Sequence, residues 1–563
     1  MNSNEYVSGT DVRNFMLNDT LVDWLKLYFK KDYKETETDF VKHILQKGND
    51  FESKIINTIN SMIKVVSVSS IFSDENVLQT LKLMKEGIPL IHSAPIKNEK
   101  LKLKGIADLL IRNDYLNQFV NYEYKHSCNQ PYHYVVLDIK WSTLKLTADQ
   151  THLVNSGNIP AYKGQINIYN KCLFEMQNYE PKIGLILGRR SSCDSKDIKY
   201  DSPFEKVGII NFENKDNKYE HMTTQAINWI RKVRKEGNNW SVNPPSNSFL
   251  YPNMKIDSGQ WNDIKNKIAR EIGEISLIWY CGLKQRQHAF DKGIFTFKDE
   301  RCSTDLLKMN SSSKRTELVS NILKINQQKE IKLRSCIKNT SIPERSNEMF
   351  VDFETFCDIH DFDDTDDNEE DFHRLNTIFL IGALYQDQYY SFIAKDLNIN
   401  SEFEIMEQFV SFVNKCGNPT LWYWHAEAQL WDRSYQNHFD LKCFKMKNEK
   451  DFYKTEEMAD WNNLNWKDLK DVFISNQIVI QNCFSYKLKE IVECLSTHGF
   501  ISSYILSECK NGKDASLLAL NLYLKTDNVT HVSRVMKDII KYNEFDVTSL
   551  FKILTFLRNF FKF

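Results

Sequence analysis

Three prolines, Pro244, Pro245 and Pro252, fall within the fourteen residues WSVNPPSNSFLYPN at 240–253. Proline locks φ, removes a backbone donor and restricts the residue before it, so no helical or strand period runs through such a stretch. The chain is expected to divide here. A second break is expected at SIPERSNE, residues 341–348, where a lysine-rich helical pattern meets the apolar strand MFVDFETF. The 563 residues then fall into three units, 1–245, 254–340 and 345–563, in keeping with roughly 100 to 200 residues per domain. The first and third alternate strand and helix patterns and the middle one is mainly helical, which predicts an α/β multidomain protein.

Hydrophobic residues make up 42% of the chain and aromatics 13%, enough apolar surface to build cores and to exclude general disorder. The 18 glycines and 11 prolines are too few for a collagenous or low-complexity chain. Twelve cysteines are scattered singly from Cys128 to Cys509 with no Cys-x-x-Cys pair. This predicts reduced thiols in an intracellular protein of cytoplasm or nucleus, with no zinc ribbon. No stretch of about 18 apolar residues and no leader-like start is present, so no membrane association is expected. Residues 341–563 carry 23 Lys and Arg against 36 Asp and Glu, a net of -13, whereas the rest carries 50 against 39, a net of +11. The basic part is the one suited to a polyanion.

A phosphodiester-hydrolysing site needs a divalent cation on hard oxygen ligands and a cation or base beside the attacking water. The segment Gly105-Ile-Ala-Asp108 precedes a strand ending Leu137-Asp138-Ile139-Lys140, and strand periodicity puts Asp138 and Lys140 on one face. Upstream, a helical pattern carries Lys47-Gly48-Asn49-Asp50-Phe51-Glu52. Downstream, Gln165 and Tyr169 stand four apart on a helical face.

This ordered set resembles the RecB-like branch of the PD-(D/E)XK nuclease superfamily over about residues 15 to 215, including the flanks WSTLKLTADQTHLVNSGNIPAYKGQ and YEPKIGLILGRR. The resemblance is to predicted RecB-family nucleases of bacteria and large DNA viruses. It implies that Glu52, Asp108 and Asp138 ligate Mg²⁺ or Mn²⁺, that Lys140 positions or activates water, and that Gln165 and Tyr169 contact DNA or brace the site. Many RecB-like nucleases also carry an iron–sulfur cluster on four cysteines. Here none precedes Cys128, and Cys172 and Cys193 stand far apart, so neither that cluster nor zinc is expected.

In the middle segment, EISLIWYCGLKQRQHAFDKGIFTFKD resembles a helix-hairpin-helix module, whose turns aim backbone N–H groups at a phosphate. That would make Gly282, Gly293 and Ile294 duplex contacts; a plain helical connector is the alternative. In the third unit, Asp352-Phe353-Glu354 sets two carboxylates on one strand face, an arrangement that a cation would neutralise. Far downstream, Tyr542 and Asp546 stand four apart on a helix.

These residues resemble the tyrosine-bearing DEDD exonucleases of the ribonuclease-H-like fold, over about 345–560, including WYWHAEAQLWD, WKDLKDVF and FSYKLKEIV. The resemblance implies two-metal 3′ to 5′ hydrolysis with Asp352, Glu354, Asp546 and a fourth acid as ligands, and Tyr542 orienting water. The fourth acid is Glu427, with Asp432 in reserve, and Asp468 reads as a helix N-cap. The nine acids between 358 and 371 read as a solvated loop, or else as an acidic flap.

The expected activity is metal-dependent hydrolysis of DNA at two sites, in repair or recombination. The alternatives are an RNA exonuclease, and a nucleic-acid-binding factor with one inactive head. No Walker A sequence occurs, so unwinding would need a separate helicase as partner.

Overall fold

The computed structural model describes residues 5–29, 39–120, 131–310, 313–328, 331–336, 342–356, 377–448, 461–502 and, from 507 to 561, all but 508, 510, 526–528, 530 and 532. The acidic run at 358–371 lies outside the described residues. The protein is a mixed α/β chain of two compact units, Met1–Glu274 and Ile275–Phe563.

The first unit is built on an eight-stranded sheet. Its strands are β1 (Val7–Ser8), β2 (Val65–Ser67), β3 (Leu90–Asn98), β4 (Leu103–Arg112), β5 (Tyr134–Lys145), β6 (Ile183–Cys193), β7 (Ile198–Tyr200) and β8 (Gly208–Asn211). Their order is β2-β3-β4-β5-β6-β7, with β1 beside β4 and β8 beside β6. Strands β3, β4 and β5 form an antiparallel meander, and β6 lies parallel to β5. Around them run helices α1 (Arg13–Met16), α2 (Leu21–Tyr28), α3 (Asp39–Met62), α4 (Asp74–Lys85), α5 (Ile159–Gln177), α6 (Lys218–Glu236) and α7 (Asn262–Ile272). A parallel neighbour requires a crossover, and α5 supplies it between β5 and β6.

Both faces of this sheet are covered. Val135, Leu137 and Ile139 pack with Phe51, Ile55 and Ile59 of α3, while Tyr134, Val136 and Leu144 pack on the other face among residues of α5 and α6. On β3 and β4 the parity changes beside Asp108. On β4, Leu103 and Ala107 belong to the α5 face, yet two residues further on Leu109 belongs to the α3 face. On β3 the same exchange separates Ile91 from Ala94, and Ser93 between them takes φ 47°. Ser93 sits opposite Asp108 in the register that pairs His92 with Leu109 and Ala94 with Ala107. A left-handed residue rotates the strand, so the side chains beyond it trade faces.

The proline-rich stretch does not end this unit. Asn247 accepts the Phe249 N–H (3.0 Å), and Asn253 donates from Nδ2 to the carbonyl of Asn18 (3.1 Å). Beyond it, fully buried Lys265 of α7 pairs with Asp19 at 2.7 Å. The prolines stop helix and strand, but the polar bonds that follow dock residues 253–274 on the N-terminal segment. Residues 254–274 of the expected connector therefore belong to the first unit, and 275–340 to the second.

The second unit holds β9 (Leu333–Ser335), β10 (Glu348–Thr355), β11 (Ile378–Tyr385), β12 (Gln388–Ile393), β13 (Thr420–Tyr423), β14 (Trp466–Asp468) and β15 (Ile478–Ile480). Five of them form a sheet in the order β12-β11-β10-β13-β14, antiparallel up to β10 and parallel after it, while β9 and β15 pair separately. Its helices are α8 (Leu283–Phe290), α9 (Lys314–Gln327), α10 (Ile399–Lys415), α11 (Glu427–Asn448), α12 (Leu469–Ser475), α13 (Leu488–Thr497), α14 (Gly512–Tyr523) and α15 (Arg534–Phe560). Val351 and Phe353 of β10 join Ile381, Phe409 and Trp431 in its core. Odd-numbered β10 residues thus serve packing, and Asp352 and Glu354 fall on the other face.

The helix-hairpin-helix expectation is not realised. Gly282 caps the N-terminus of α8, Gly293 makes a left-handed turn after it (φ 72°), and residues 294–310 contain no helix. One eight-residue helix separates the two glycines, and Ile294 is buried at 3% exposure, so it offers nothing to a duplex. Among the described residues no helix is long and apolar enough to cross a membrane.

Helix α2 seats on α6 through polar bonds: Trp24 Nε1 donates to the Gly237 carbonyl (2.7 Å) and Tyr28 to that of Val233 (2.8 Å). Beside them, buried Asp23 accepts from Asn14 Nδ2 (2.7 Å) and Trp229 Nε1 (2.9 Å), yet burial pushes its carboxyl up to about 7. A raised carboxyl holds its proton longer in the folded state, so stability should fall as pH rises from about 4 to about 7. Asp23→Asn keeps an acceptor for Trp229 and removes that slope. Denaturant unfolding should show the variant gaining on the wild type between pH 5 and 8, by at most about 3 kcal/mol.

Candidate functional site

In the first unit the site arises where β4 and β5 part. Their ladder pairs Arg112 with Tyr134 through to Leu109 with Leu137 and stops there. At the next position the carboxylate of Asp108 replaces the ladder, accepting the Ile139 N–H through Oδ2 at 2.8 Å. Asp138, on the α5 face, is fully buried. Lys140 Nζ lies between the two acids, 2.7 Å from Asp138 Oδ2 and 3.6 Å from Asp108 Oδ2. Burial pushes the Asp138 carboxyl up; Lys140 opposes this and the Asp108 charge adds to it. Burial works against the Lys140 charge as well, but both carboxylates outweigh it and hold the ammonium above its ordinary value.

Helix α5 closes this site. Gln165 Nε2 donates to Tyr169 (2.9 Å) and reaches Asp138 Oδ1 (3.4 Å), and Lys140 lies 5.6 Å from the centre of the Tyr162 ring. Tyr169 is 4% exposed, and its Cε1 would stand 2.2 Å from a Cβ at Gly105. It braces the strand that carries Asp108 and has no surface left for nucleic acid. Lys163, two residues before Gln165, is fully buried and pairs with Asp216 at 2.5 Å.

Glu52 is delivered from the opposite face. Phe51 and Trp141, neighbours of Glu52 and Lys140 in sequence, have ring centres 5.3 Å apart and join α3 to the end of β5. The Glu52 carboxylate meets His92 Nε2 at 3.0 Å rather than Asp108 or Asp138. His92 carries Ser67 Oγ on its other nitrogen at 3.0 Å. Sequence reasoning missed His92, because a single histidine in an apolar strand has no spacing to mark it.

In the second unit, four acids act on one another. Burial pushes Asp352 and Glu354 well above the carboxylate range, and the Asp546 and Glu427 charges push both further. Glu354, Glu427 and Asp546 are 5%, 6% and 6% exposed. Glu427 opens α11, where its Oε2 accepts the N–H groups of Trp424 (3.2 Å) and Ala426 (3.3 Å). The turn before it needs His425 at φ 83°, a costly conformation for a side chain with a Cβ. Its N–H is held by Asp468 (3.1 Å), which also caps α12 through the Lys470 N–H (2.8 Å). Asp432, on the next turn of α11, is exposed.

Tyr542 and Asp546 enter from α15, and burial together with the Asp546 charge pushes the tyrosine hydroxyl up. Asp546 Oδ1 is buried with no hydrogen-bond partner among the described residues. Between the two tips lies Asn543, fully buried. Its Nδ2 donates to Asp352 Oδ2 (2.9 Å) and lies 3.5 Å from Glu354 Oε1, and its Oδ1 accepts from Tyr389 (2.9 Å). Asn543 went unnoticed in the sequence because its role depends on β11: Gly382, opposite Asp352, leaves the space it fills.

The donors of both sites are carboxylate oxygens, which suit a hard cation, and buried like charges gain from one. The orphaned Asp546 oxygen fits the same ligand. Among the described residues no group of three or more His, Cys, Asp or Glu side chains has the arrangement of a ready metal centre. Gly282 and Gly293 lie outside both constellations. Compared with known proteins, the chain matches no family model and no curated sequence.

A Cβ at Gly382 would stand 1.6 Å from Asn543 Oδ1. Gly382→Ala should therefore cost about 1 to 3 kcal/mol in denaturant unfolding, the usual range for overpacking. In an Asn543→Ala background most of that cost should vanish, a coupling that a double-mutant cycle reads directly.

Proposed function

We propose that the chain is a metal-dependent nuclease with two phosphodiester-hydrolysing sites, a PD-(D/E)XK site of the RecB-like kind in the first unit and a DEDD-type 3′ to 5′ exonuclease site of the ribonuclease-H-like kind in the second. DNA is the substrate we favour, for processing in repair or recombination. The observation that carries the reading is the mutual repulsion of Asp352, Glu354, Glu427 and Asp546, four acids from three separate chain segments, the last three buried and Asp352 half-buried, with one Asp546 oxygen left unpartnered among the described residues. Gathering such charges out of water for packing alone is expensive, and a cation offsets it. The parted strands at Asp108 and Asp138, with Lys140 between the acids, support the first site.

Glu52, Asp108 and Asp138 would hold Mg²⁺ or Mn²⁺ in the first site, and Asp352, Glu354, Glu427 and Asp546 in the second. Bound there, the ion lowers the pKa of water and offsets charge on the phosphate oxygens. Lys140 orients the attacking water and, as a fixed cation, favours the extra negative charge of the transition state. Gln165 keeps the Asp138 carboxylate aimed. In the second site Tyr542 orients water, and Asn543 holds the Asp352 and Glu354 carboxylates in register.

The sites should act independently. On end-labelled DNA, Asp352→Ala should abolish stepwise removal of 3′ nucleotides and spare the first site's cleavage, and Asp138→Ala or Lys140→Ala should do the reverse. Product ladders unchanged by Asp352→Ala, together with no Asp352-dependent metal binding by calorimetry, would reduce the second unit to a scaffold. Parallel reactions on RNA decide the substrate.

The pH dependence has a definite sign. The second-site acids keep protons in the folded state that they lose in the unfolded one, so metal-free stability should fall as pH rises above the ordinary carboxylate range. Saturating Mn²⁺ should raise the melting temperature more at pH 8 than at pH 5, and Asp352→Asn should shrink that difference.

A further inference from the structure

Helix α13 carries a lysine onto the second site. The stretch leading into it is anchored on three sides: Trp424 Nε1 donates to the Tyr486 carbonyl (3.1 Å), Tyr486 donates to that of Ile478 (2.8 Å), and Glu490 accepts the Phe484 N–H (2.9 Å). A first turn so fixed leaves Lys489 little freedom of backbone. Its Nζ stands 4.4 Å from the centre of the Tyr542 ring, within the range of a cation–π contact. The ring is 4% exposed, so an ammonium on its face helps set the plane in which its hydroxyl points. The same charge opposes the repulsion at Asp546, Glu354 and Asp352 together.

Resting on the exonuclease reading above, we infer that Lys489 is a positioning residue of the second site, orienting Tyr542 through its ring and offsetting the carboxylates of Asp352, Glu354 and Asp546 so that a nucleic-acid phosphate can approach them. A nucleic-acid strand brings one negative charge per nucleotide, and four acids without a counter-charge would repel it before any bond formed. Lys489 is the chain's own contribution to solving that problem. It acts through neighbours, which gives its loss a signature different from that of a ligand or a packing residue.

The test compares Lys489→Met and Lys489→Arg in the full chain by two readouts: calorimetric Mn²⁺ binding that Asp352→Ala removes, and turnover in 3′-end shortening of a labelled single-stranded DNA. Losing one positive charge beside the acids should tighten Mn²⁺ by about fivefold or more. The same substitution should slow turnover at saturating DNA by about tenfold or more, the lower range for a mispositioned catalytic group. Lys489→Arg should stay near wild type in both. A lysine that merely supports the fold would weaken metal and turnover together. Weakened or unchanged Mn²⁺ affinity in Lys489→Met, or undiminished turnover, overturns the inference while leaving the exonuclease reading intact. Absence of any Asp352-dependent Mn²⁺ binding in the wild type would overturn both.

Discussion

Burial of like charges is the constraint under which both sheets are built. A carboxylate taken out of water loses several kcal/mol of solvation unless it is paired or protonated, and this chain buries acids in each unit. In the first, Asp138 is compensated by Lys140 two residues along the same strand. In the second, compensation is dispersed over Asn543, Lys489 and the backbone amides at the start of α11. Strand partings, a strained His425 and a glycine in mid-sheet all follow from arranging those neighbours.

The two units meet the constraint with different tools. The first uses backbone. Asp108 stands in for a ladder bond, and the face exchange at Ser93 and Asp108 lets one strand serve packing on both sides of the sheet while its carboxylate turns to β5. The second uses side chains supplied by helices, above all α15, whose residues 542, 543 and 546 reach the same strand face.

What was legible in the sequence followed from period. Alternation along YHYVVLDIKW put Asp138 and Lys140 together, alternation along MFVDFETF did the same for Asp352 and Glu354, and the four-residue step joined Tyr542 to Asp546. Strands β4, β5, β6 and β10 to β13 were legible for the same reason, while β1, β2, β3, β7, β8 and β14 were not. Residues whose meaning depends on a distant partner were not: His92 beside Glu52, Asn543 over Gly382, Lys489 on the Tyr542 ring. The proline-rich stretch misled about the boundary because proline reports local backbone only. The contact that extends the first unit to Glu274 is a buried ion pair, Lys265 with Asp19, separated by most of that unit's length. The two-glycine segment failed similarly, since turn residues reveal turns without revealing what flanks them.

The hydrogen bond from Ile139 to Asp108 has a bearing on how this chain could age. An acceptor at position 108 satisfies a backbone amide that the parted strands leave without a ladder partner, so the fold itself selects for aspartate or its amide there, whatever chemistry takes place. Descendants released from selection for the proposed cleavage would be expected to lose Asp138 and Lys140 together, since each compensates the other, and keep an acid or amide at 108. The trace of a lost activity would thus be read at that pair, while Asp108 would persist as architecture.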